Sequence, residues 1–269
     1  MSTSVQPPVP YVFDNDDPDA VDRHECLASV LDGPTFELLA GLGDLTGKRC
    51  LEIGAGGGSV ARWLADRTGP DGQVVATDVN IRHVPRDQGF RVLRHNVVTD
   101  PVPDGGWDVI HARLVLMHVP ERRAVLPKLA AALAPGGALV VEEWDTSVTE
   151  IVLAAPDDES RELVNRYQRT LIERIMLANG NDPAWARKVH GAMLDSGLSN
   201  VDTRVHARSW RGGSAGAMLH AVNIAQTRDK LLDNGFTTAQ LARISAMVTA
   251  DPRLVVRGHL TYSTVGRKS

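Results

Sequence analysis

Leu51-Glu52-Ile53-Gly54-Ala55-Gly56-Gly57-Gly58 is the stretch that decides the fold of this chain. It joins a short apolar run, Arg49 to Ile53, to a segment whose Val60, Ala61, Leu64 and Ala65 share one helical face. The order is therefore strand, glycine turn, helix. Glycines permit a tight turn and let the backbone approach a ligand closely. The helix beyond the turn offers free N–H groups at its start.

The loop differs from the dinucleotide fingerprint G-x-G-x-x-G. Its spacing is Gly54-x-Gly56-x-Gly58, and Ser59 stands where that fingerprint needs Gly or Ala. Glu52 lies two positions before the first glycine. A carboxylate there suits a cationic amino group and opposes a pyrophosphate, which favours an aminoacyl ligand. Asp78 ends the next apolar run, Gln73 to Thr77, where a carboxylate accepts from both hydroxyls of a ribose.

Working outward, Arg91–Arg94 reads as a third strand ending near Asn96, and Trp107–Ile110 as a fourth. A helix carrying Val125, Leu129, Ala132 and Leu133 comes next and breaks at Pro135-Gly136-Gly137, and Ala138–Glu142 is a fifth strand. Five short apolar strands separated by helices imply a parallel sheet covered on both faces, with right-handed crossovers. After Glu143 the alternation stops. Helices are expected over 157–178, 183–196, 213–233 and 237–249, with strands over Asn200–Ser209 and Leu254–Val265. Two late strands would complete the sheet, and the inserted helices would form a cap. Upstream, residues 1–10 read as an extended proline-rich arm, one helix starts near Asp17-Pro18, and a second spans roughly Pro34 to Leu42.

The chain has 269 residues and a net charge of −4, from 29 Lys+Arg against 33 Asp+Glu. This balance argues against a partner held mainly through phosphates, so a nucleic acid is not expected. Cys26 and Cys50 sit in apolar patterns and read as buried reduced thiols; no metal site is expected. No signal peptide and no bilayer-spanning run is visible, which makes the cytoplasm the expected location. The N-terminal helices have two readings, packing on their own subunit or crossing to a partner in a homodimer.

Taken together, the glycine loop, Glu52 and Asp78 resemble those of the class I S-adenosylmethionine-dependent methyltransferases. The likeness is to the small-molecule branch of actinobacterial natural-product pathways, and it is close over residues 11–143 and architectural beyond. It implies an α/β, Rossmann-like, seven-stranded and mostly parallel sheet with helices on both faces, N-terminal helices, and a helical cap inserted after strand five. One methyltransferase domain would span 1–269: arm and helices in 1–45, cofactor-binding core in 46–145, cap helices in 146–200, and the last two strands with inserted helices in 201–269. The resemblance implies S-adenosylmethionine as cofactor and S-adenosylhomocysteine as product. Glu52 and the backbone of Gly54, Ala55 and Gly56 would hold the methionyl part, Asp78 the ribose, and Val79 the adenine face. Asn96 and Val97 would read the adenine edge, although the family more often has Asp at the position of Asn96, and Asp100 leaves that register open. Arg113 would lie beside the methionyl tail, and Tyr11 would close over the cofactor.

Methyl transfer from a sulfonium needs alignment and a dry pocket more than a dedicated catalytic group. The candidates lie at strand ends, where ligands bind in open α/β sheets. His118 is the favoured base or substrate-orienting residue, since histidine titrates near neutrality. His111, still within strand four, is a candidate that also reads as packing. Glu143 is a candidate base or cation ligand; Glu142 and Glu143 point to opposite sides if the strand continues, so one of them is a solvated or capping charge. Tyr167, Arg174 and His190 are candidate substrate contacts from the cap. The expected reaction is in-line transfer of a methyl group to O, N or C of a small molecule of secondary metabolism. Alternatives are decarboxylation, hydroxylation or a pericyclic reaction on the same fold, a macromolecular acceptor, a non-catalytic module, or a nicotinamide dehydrogenase, the last opposed by the glycine spacing.

Overall fold

The computed structural model describes residues 12–13 and 20–269. The proline arm, Tyr11 and the helix start at Asp17-Pro18 lie outside the described residues. Helix α1 (Ala20–Ala40) continues through Pro34, where the sequence suggests a break between two helices. An interior proline costs about 3 kcal/mol. Buried Leu31, Leu38 and Leu39 flank it, and at about 1.5–3 kcal/mol each they outweigh that cost.

From there the chain alternates through β1 (Arg49–Ile53), α2 (Ser59–Thr68), β2 (Gln73–Asp78), β3 (Arg91–Arg94), β4 (Trp107–Arg113), α3 (Arg122–Ala132) and β5 (Leu133–Asp145). Strands β4 and β5 run further than their apolar cores suggest. Their extensions carry His111, Arg113 and Glu143, polar residues that are buried or nearly so. Next come β6 (Val152–Ala154), α4 (Asp158–Arg169), α5 (Val189–Asp195), β7 (Ser199–His206) and β8 (Ser209–Arg211). The chain ends with α6 (Ala215–Gln226), α7 (Arg228–Asp233), α8 (Thr238–Ala250), β9 (Val255–Arg257) and β10 (Leu260–Arg267). The long helix expected over 157–178 is composite: α4 passes into a π-helical segment, Thr170–Met176, and then a 3₁₀ turn, Leu177–Asn179.

The main sheet has seven strands in the order β3-β2-β1-β4-β5-β10-β7, with β10 antiparallel to both neighbours and the other pairs parallel. The chain progresses outward in one direction from β1 and in the other from β4. The switch point between these two strands opens a crevice at their carboxyl ends. One face packs on α1 and α2 through Leu39, Leu64, Val74, Val109 and Val140; the other packs on α3 and α5 through Leu126, Leu129, Val189 and Met193.

The segment after β5 is not helical throughout. Strands β6, β9 and β8 form a separate antiparallel sheet that the periodicity does not reveal. The two late strands each read as one continuous run, but each divides between the sheets. Gly258 N–H donates to Arg208 O at the crossing, so both chains turn together. Trp210 of β8 is seated there against Gly216 and Gly258; a Cβ on either glycine would come within 2.3 and 2.7 Å of the indole. Helix α1 packs on α6 of its own chain. No helix among the described residues is long and apolar enough to cross a membrane.

Candidate active site

The glycine turn closes as the sequence requires. Gly54, Gly56 and Gly58 have φ of +69°, +52° and +74°, which other residues rarely adopt. A Cβ on Gly54 would lie 2.3 Å from Val115 Cγ2, so the loop touches the chain leaving β4. His24 of α1 covers Gly56 and Gly57 from above. Asp78 braces the turn: Oδ2 accepts from Gly56 N–H at 2.9 Å and Oδ1 from Asn80 N–H at 3.0 Å. Burial raises the Asp78 pKa against these bonds. Each oxygen keeps a further lone pair. The adjoining Val79 is 52% exposed, an apolar surface beside a carboxylate. The Asn96 side-chain oxygen accepts from Val98 N–H, and Asp100 accepts from Asn96 N–H, each at 2.9 Å. Asn96 and Asp100 therefore close one turn together. Val97 is buried, with its carbonyl on Lys128 Nζ.

Three candidates gather in a polar ribbon under α1. Glu52 pairs in register with His111, and Arg113 with Glu142, so all four share a sheet face. His111 Nδ1 donates to Glu52 at 2.8 Å and Nε2 to Glu142 at 3.0 Å. Glu142 also accepts from Thr35 and Ser263 hydroxyls, each at 2.6 Å. Arg113 donates to Thr35 Oγ1 at 3.0 Å and to Asp32 at 2.9 Å, and Asp32 accepts from Ser59 at 3.0 Å. Burial pulls the His111 pKa down, but the Glu52 charge and the hydrogen bonds from Glu142 and Glu52 outweigh it and hold the imidazolium up to about 9. Burial pushes Glu142 up, and His111, Arg113 and Ser263 overcome it, holding the carboxylate at about 2.

This arrangement corrects one expectation and qualifies another. Glu52 bonds His111 through Oε2 alone. His111 has both ring nitrogens engaged and no exposed surface, so it has no atom left for a proton transfer to substrate. Arg113 ties β4 to α1 next to the start of α2, at the end of the glycine loop.

Past the strand ends the polar groups are differently placed. Glu143 points away from Glu142, as alternation requires, and is also buried. Its Oε1 accepts from Leu116 and Met117 N–H at 2.7 and 3.3 Å, capping the turn Leu116–His118, while Oε2 has no partner among the described residues. Burial outweighs those bonds and lifts its pKa to about 8. His118 accepts or shares a bond with the Asn181 amide through Nδ1 at 3.0 Å. Burial, then the charges of Arg23 and Arg122, hold His118 down at about 3. A group so weakly basic is neutral near pH 7 and is a poor proton acceptor there.

Tyr167 is fully buried on α4, its hydroxyl 3.4 Å from the His220 carbonyl. Arg174 projects outward on the exposed side of the π-helical segment and His190 hydrogen-bonds Thr203 of β7 at 2.9 Å, so neither joins this cluster. His220 and His259, which the sequence pattern does not single out, gather with two tryptophans. Trp144, Trp210, His220 and His259 form a ring cluster with centroids 5.0–6.3 Å apart. Both His220 nitrogens and Nδ1 of His259 lack partners among the described residues, as do both polar atoms of the neighbouring Gln168 side chain. Burial holds His220 near 4; burial, then His220 and Arg257, hold His259 near 3. The signal for α1 was a charge inside an apolar stripe: Arg23 falls among buried Ala20, Cys26 and Leu31.

Residues 28–182 match the family model described as a methyltransferase domain. Methyltransferase str3 of Strobilurus tenacellus is 40% identical over 102 residues, which is 36% of this chain and 36% of that protein. The ubiquinone/menaquinone biosynthesis C-methyltransferase UbiE of Cupriavidus taiwanensis is 31% identical over 117 residues, 39% of this chain and 47% of the relative. The chain thus matches less than half the length of either relative. The first is fungal, so it lends nothing to an actinobacterial origin. Among solved structures, phosphoethanolamine N-methyltransferase 2 of Haemonchus contortus superposes with TM-score 0.57 at 14% identity, covering 93% of this chain and 57% of that one. A SAM-dependent methyltransferase of Aquifex aeolicus superposes with TM-score 0.52 at 15% identity, covering 96% and 100%.

Proposed function

The chain belongs to the methyltransferase domain family, and from that premise we propose that it transfers a methyl group from S-adenosylmethionine to a small-molecule acceptor, within secondary metabolism. The observation that carries this reading is the Gly54–Gly58 turn tied to Asp78 through Gly56 N–H. A side chain at Gly54 would collide with Val115, so only glycine lets the loop lie this close to the chain leaving β4. The residues fit the cofactor: Gly54, Ala55 and Gly56 for its amino-acid portion, Asp78 for the ribose hydroxyls, Val79 for the adenine face, and Asn96 and Val97 for its edge. When bound, S-adenosylmethionine supplies a methyl group already activated on sulfur.

The protein's own part is alignment, exclusion of water and control of one proton. Neutral His118, braced by Asn181, orients the acceptor. Glu143 holds or releases a proton at Oε2, since Oε1 is fixed by backbone N–H groups and a pKa of about 8 lies near working pH. Helices α1 and α6 pack together over the sheet, a closure that suits a small acceptor better than a polymer.

Calorimetric titration tests the reading. S-adenosylmethionine and S-adenosylhomocysteine are expected to bind at micromolar levels and NAD not at all. Asp78→Ala should weaken both by about 30-fold or more, from loss of roughly 2 kcal/mol of charge-assisted hydrogen bonding. Absence of binding to folded protein would end the proposal. With an acceptor in hand, a product heavier by one methylene separates methylation from other chemistry.

A further inference from the structure

Arg23 is 8% exposed, yet no carboxylate lies within ion-pairing distance of it among the described residues. Its Nε donates to Asn223 Oδ1 of α6 at 3.2 Å, and the guanidinium lies 4.2 Å from the Phe13 ring centroid. An arginine keeps its charge in any protein environment and carries five donors. One of these has a hydrogen-bond partner among the described residues. The contrast with the rest of the interior is direct: buried His111 lies between two carboxylates, and Arg113 is paired with Asp32. A buried cation with no anion among the described residues is costly unless an anion reaches it from elsewhere.

The surroundings define what kind of anion fits. His118 and His24 are held neutral, first by burial and then by the charge of Arg23, so neither adds a second cation beside it. Tyr167 is also neutral, its phenol raised by burial against a bond from Asn223 and the Arg23 charge. Arg122, the other nearby cation, is already bonded to the carbonyls of Leu116, Met117 and Gly180. One free guanidinium among neutral groups matches a single negative charge, and its planar fork matches a carboxylate. A phosphate would call for more cations than are free.

Resting on the methyltransferase reading, we propose that Arg23, held by Asn223 of α6, forms a carboxylate-binding site. His24, the next residue on α1, turns to the glycine loop, whereas Arg23 turns to α6 and α4. The guanidinium therefore stands on the acceptor's flank, and an acidic acceptor is the source this placement favours. The amino-acid tail of the cofactor is the other source of the same group.

The test uses the full chain and the variants Arg23→Met and Arg23→Lys. Three ligands are titrated: S-adenosylhomocysteine, its decarboxylated analogue, and benzoate with benzamide as the uncharged control, the last pair with and without saturating S-adenosylhomocysteine. If the acceptor supplies the carboxylate, wild type prefers benzoate to benzamide. Arg23→Met then loses that preference by about tenfold or more while S-adenosylhomocysteine affinity holds. If the cofactor supplies it, S-adenosylhomocysteine weakens by a similar factor in Arg23→Met and the decarboxylated analogue does not. Arg23→Lys should retain part of either effect. A carboxylate anchor left without its anion also predicts that Arg23→Met melts no lower than wild type. Unchanged preferences in both arms, with a lowered melting temperature, would overturn the proposal and leave Arg23 a packing residue. Failure of wild type to bind S-adenosylhomocysteine would count against the methyltransferase reading instead, and the benzoate arm would still decide Arg23.

Discussion

His111 and His118 lie on one continuous stretch, the end of β4 and the turn beyond it, and titrate in opposite directions, to about 9 and about 3. The first sits inside the sheet between two carboxylates, one of which, Glu142, is also bonded by Thr35 and Ser263. The second sits past the strand ends, beside Arg23, Arg122 and Asn181, in the region where Glu143 Oε2 and Asn181 Oδ1 have no partner among the described residues. Glu143, Asn181 and His220 are as buried as Glu52, His111 and Glu142, so burial alone does not separate scaffold from site. Closure of the polar network does. A satisfied buried network fixes a fold; an unsatisfied one is stable only if something else completes it.

The strongest way to break this comparison is to open the closed side. His111→Leu removes the one cation between Glu52 and Glu142 and leaves two buried carboxylates facing each other. Breaking a buried pair costs about 3–5 kcal/mol. At about 2–4 °C per kcal/mol for a chain of this size, the melting temperature should fall by roughly 10 °C. An unchanged melting temperature would mean that the ribbon holds no charge. The same substitution on the open side, His118→Leu, replaces a neutral group and should cost far less.

Titration sharpens the contrast next. The folded pKa of His111 is above its unfolded value, so its stabilisation is complete below about pH 6.5 and is lost as pH rises through about 9. A shift of that size is worth roughly 3 kcal/mol. Glu143, raised to about 8, acts in the same direction: folding favours its protonated form, and stability declines as pH climbs from about 4.5 through 8. His118, His220 and His259 are lowered, so they favour folding above about pH 6.5 and disfavour it as pH falls toward 3–4. Urea unfolding across pH 4–10 should show a maximum near pH 6.5. In His220→Phe the acid limb should flatten while the alkaline limb remains; a variant in which both limbs persist unchanged would show that His220 is not buried neutral.

How much of the molecule was legible in its sequence depends on the range of each interaction. The glycine turn, Asp78 and strands β2 and β3 are local, set by residues a few positions apart, and they stand where the pattern places them. The ribbon is not local: Thr35 meets Glu142 across 107 positions and Ser263 meets it across 121. Glu52 was legible as an acidic residue near the loop, but its partner was not, because pairing in register with His111 exists only once β1 and β4 lie side by side. The small sheet was hidden for a related reason. Strands β8 and β9 are three residues each, too short for periodicity, and their positions depend on Trp210 seating between two distant glycines. Arg23 could have been found, as a charge among the apolar residues Ala20, Cys26 and Leu31 on the buried face of α1.

The smallest expected effect concerns Arg174. As a long cationic side chain on the composite helix it invites a role in holding substrate, but the π-helical segment turns Leu171, Ile172, Ile175 and Met176 inward and leaves Arg174 and Glu173 exposed. A π-helical turn inserts an extra residue per turn and rotates the residues after it, so the face a regular helix would bury is not the face buried here. Arg174→Ala should therefore change stability by less than about 0.5 kcal/mol, as surface substitutions do, and leave S-adenosylhomocysteine affinity and any carboxylate preference as in wild type. Arg23→Met is the paired measurement. If Arg174→Ala weakens benzoate binding as much as Arg23→Met does, the segment must turn inward when ligand binds. The boundary between the closed interior and the open strand ends would then have to include the outer face of this helix.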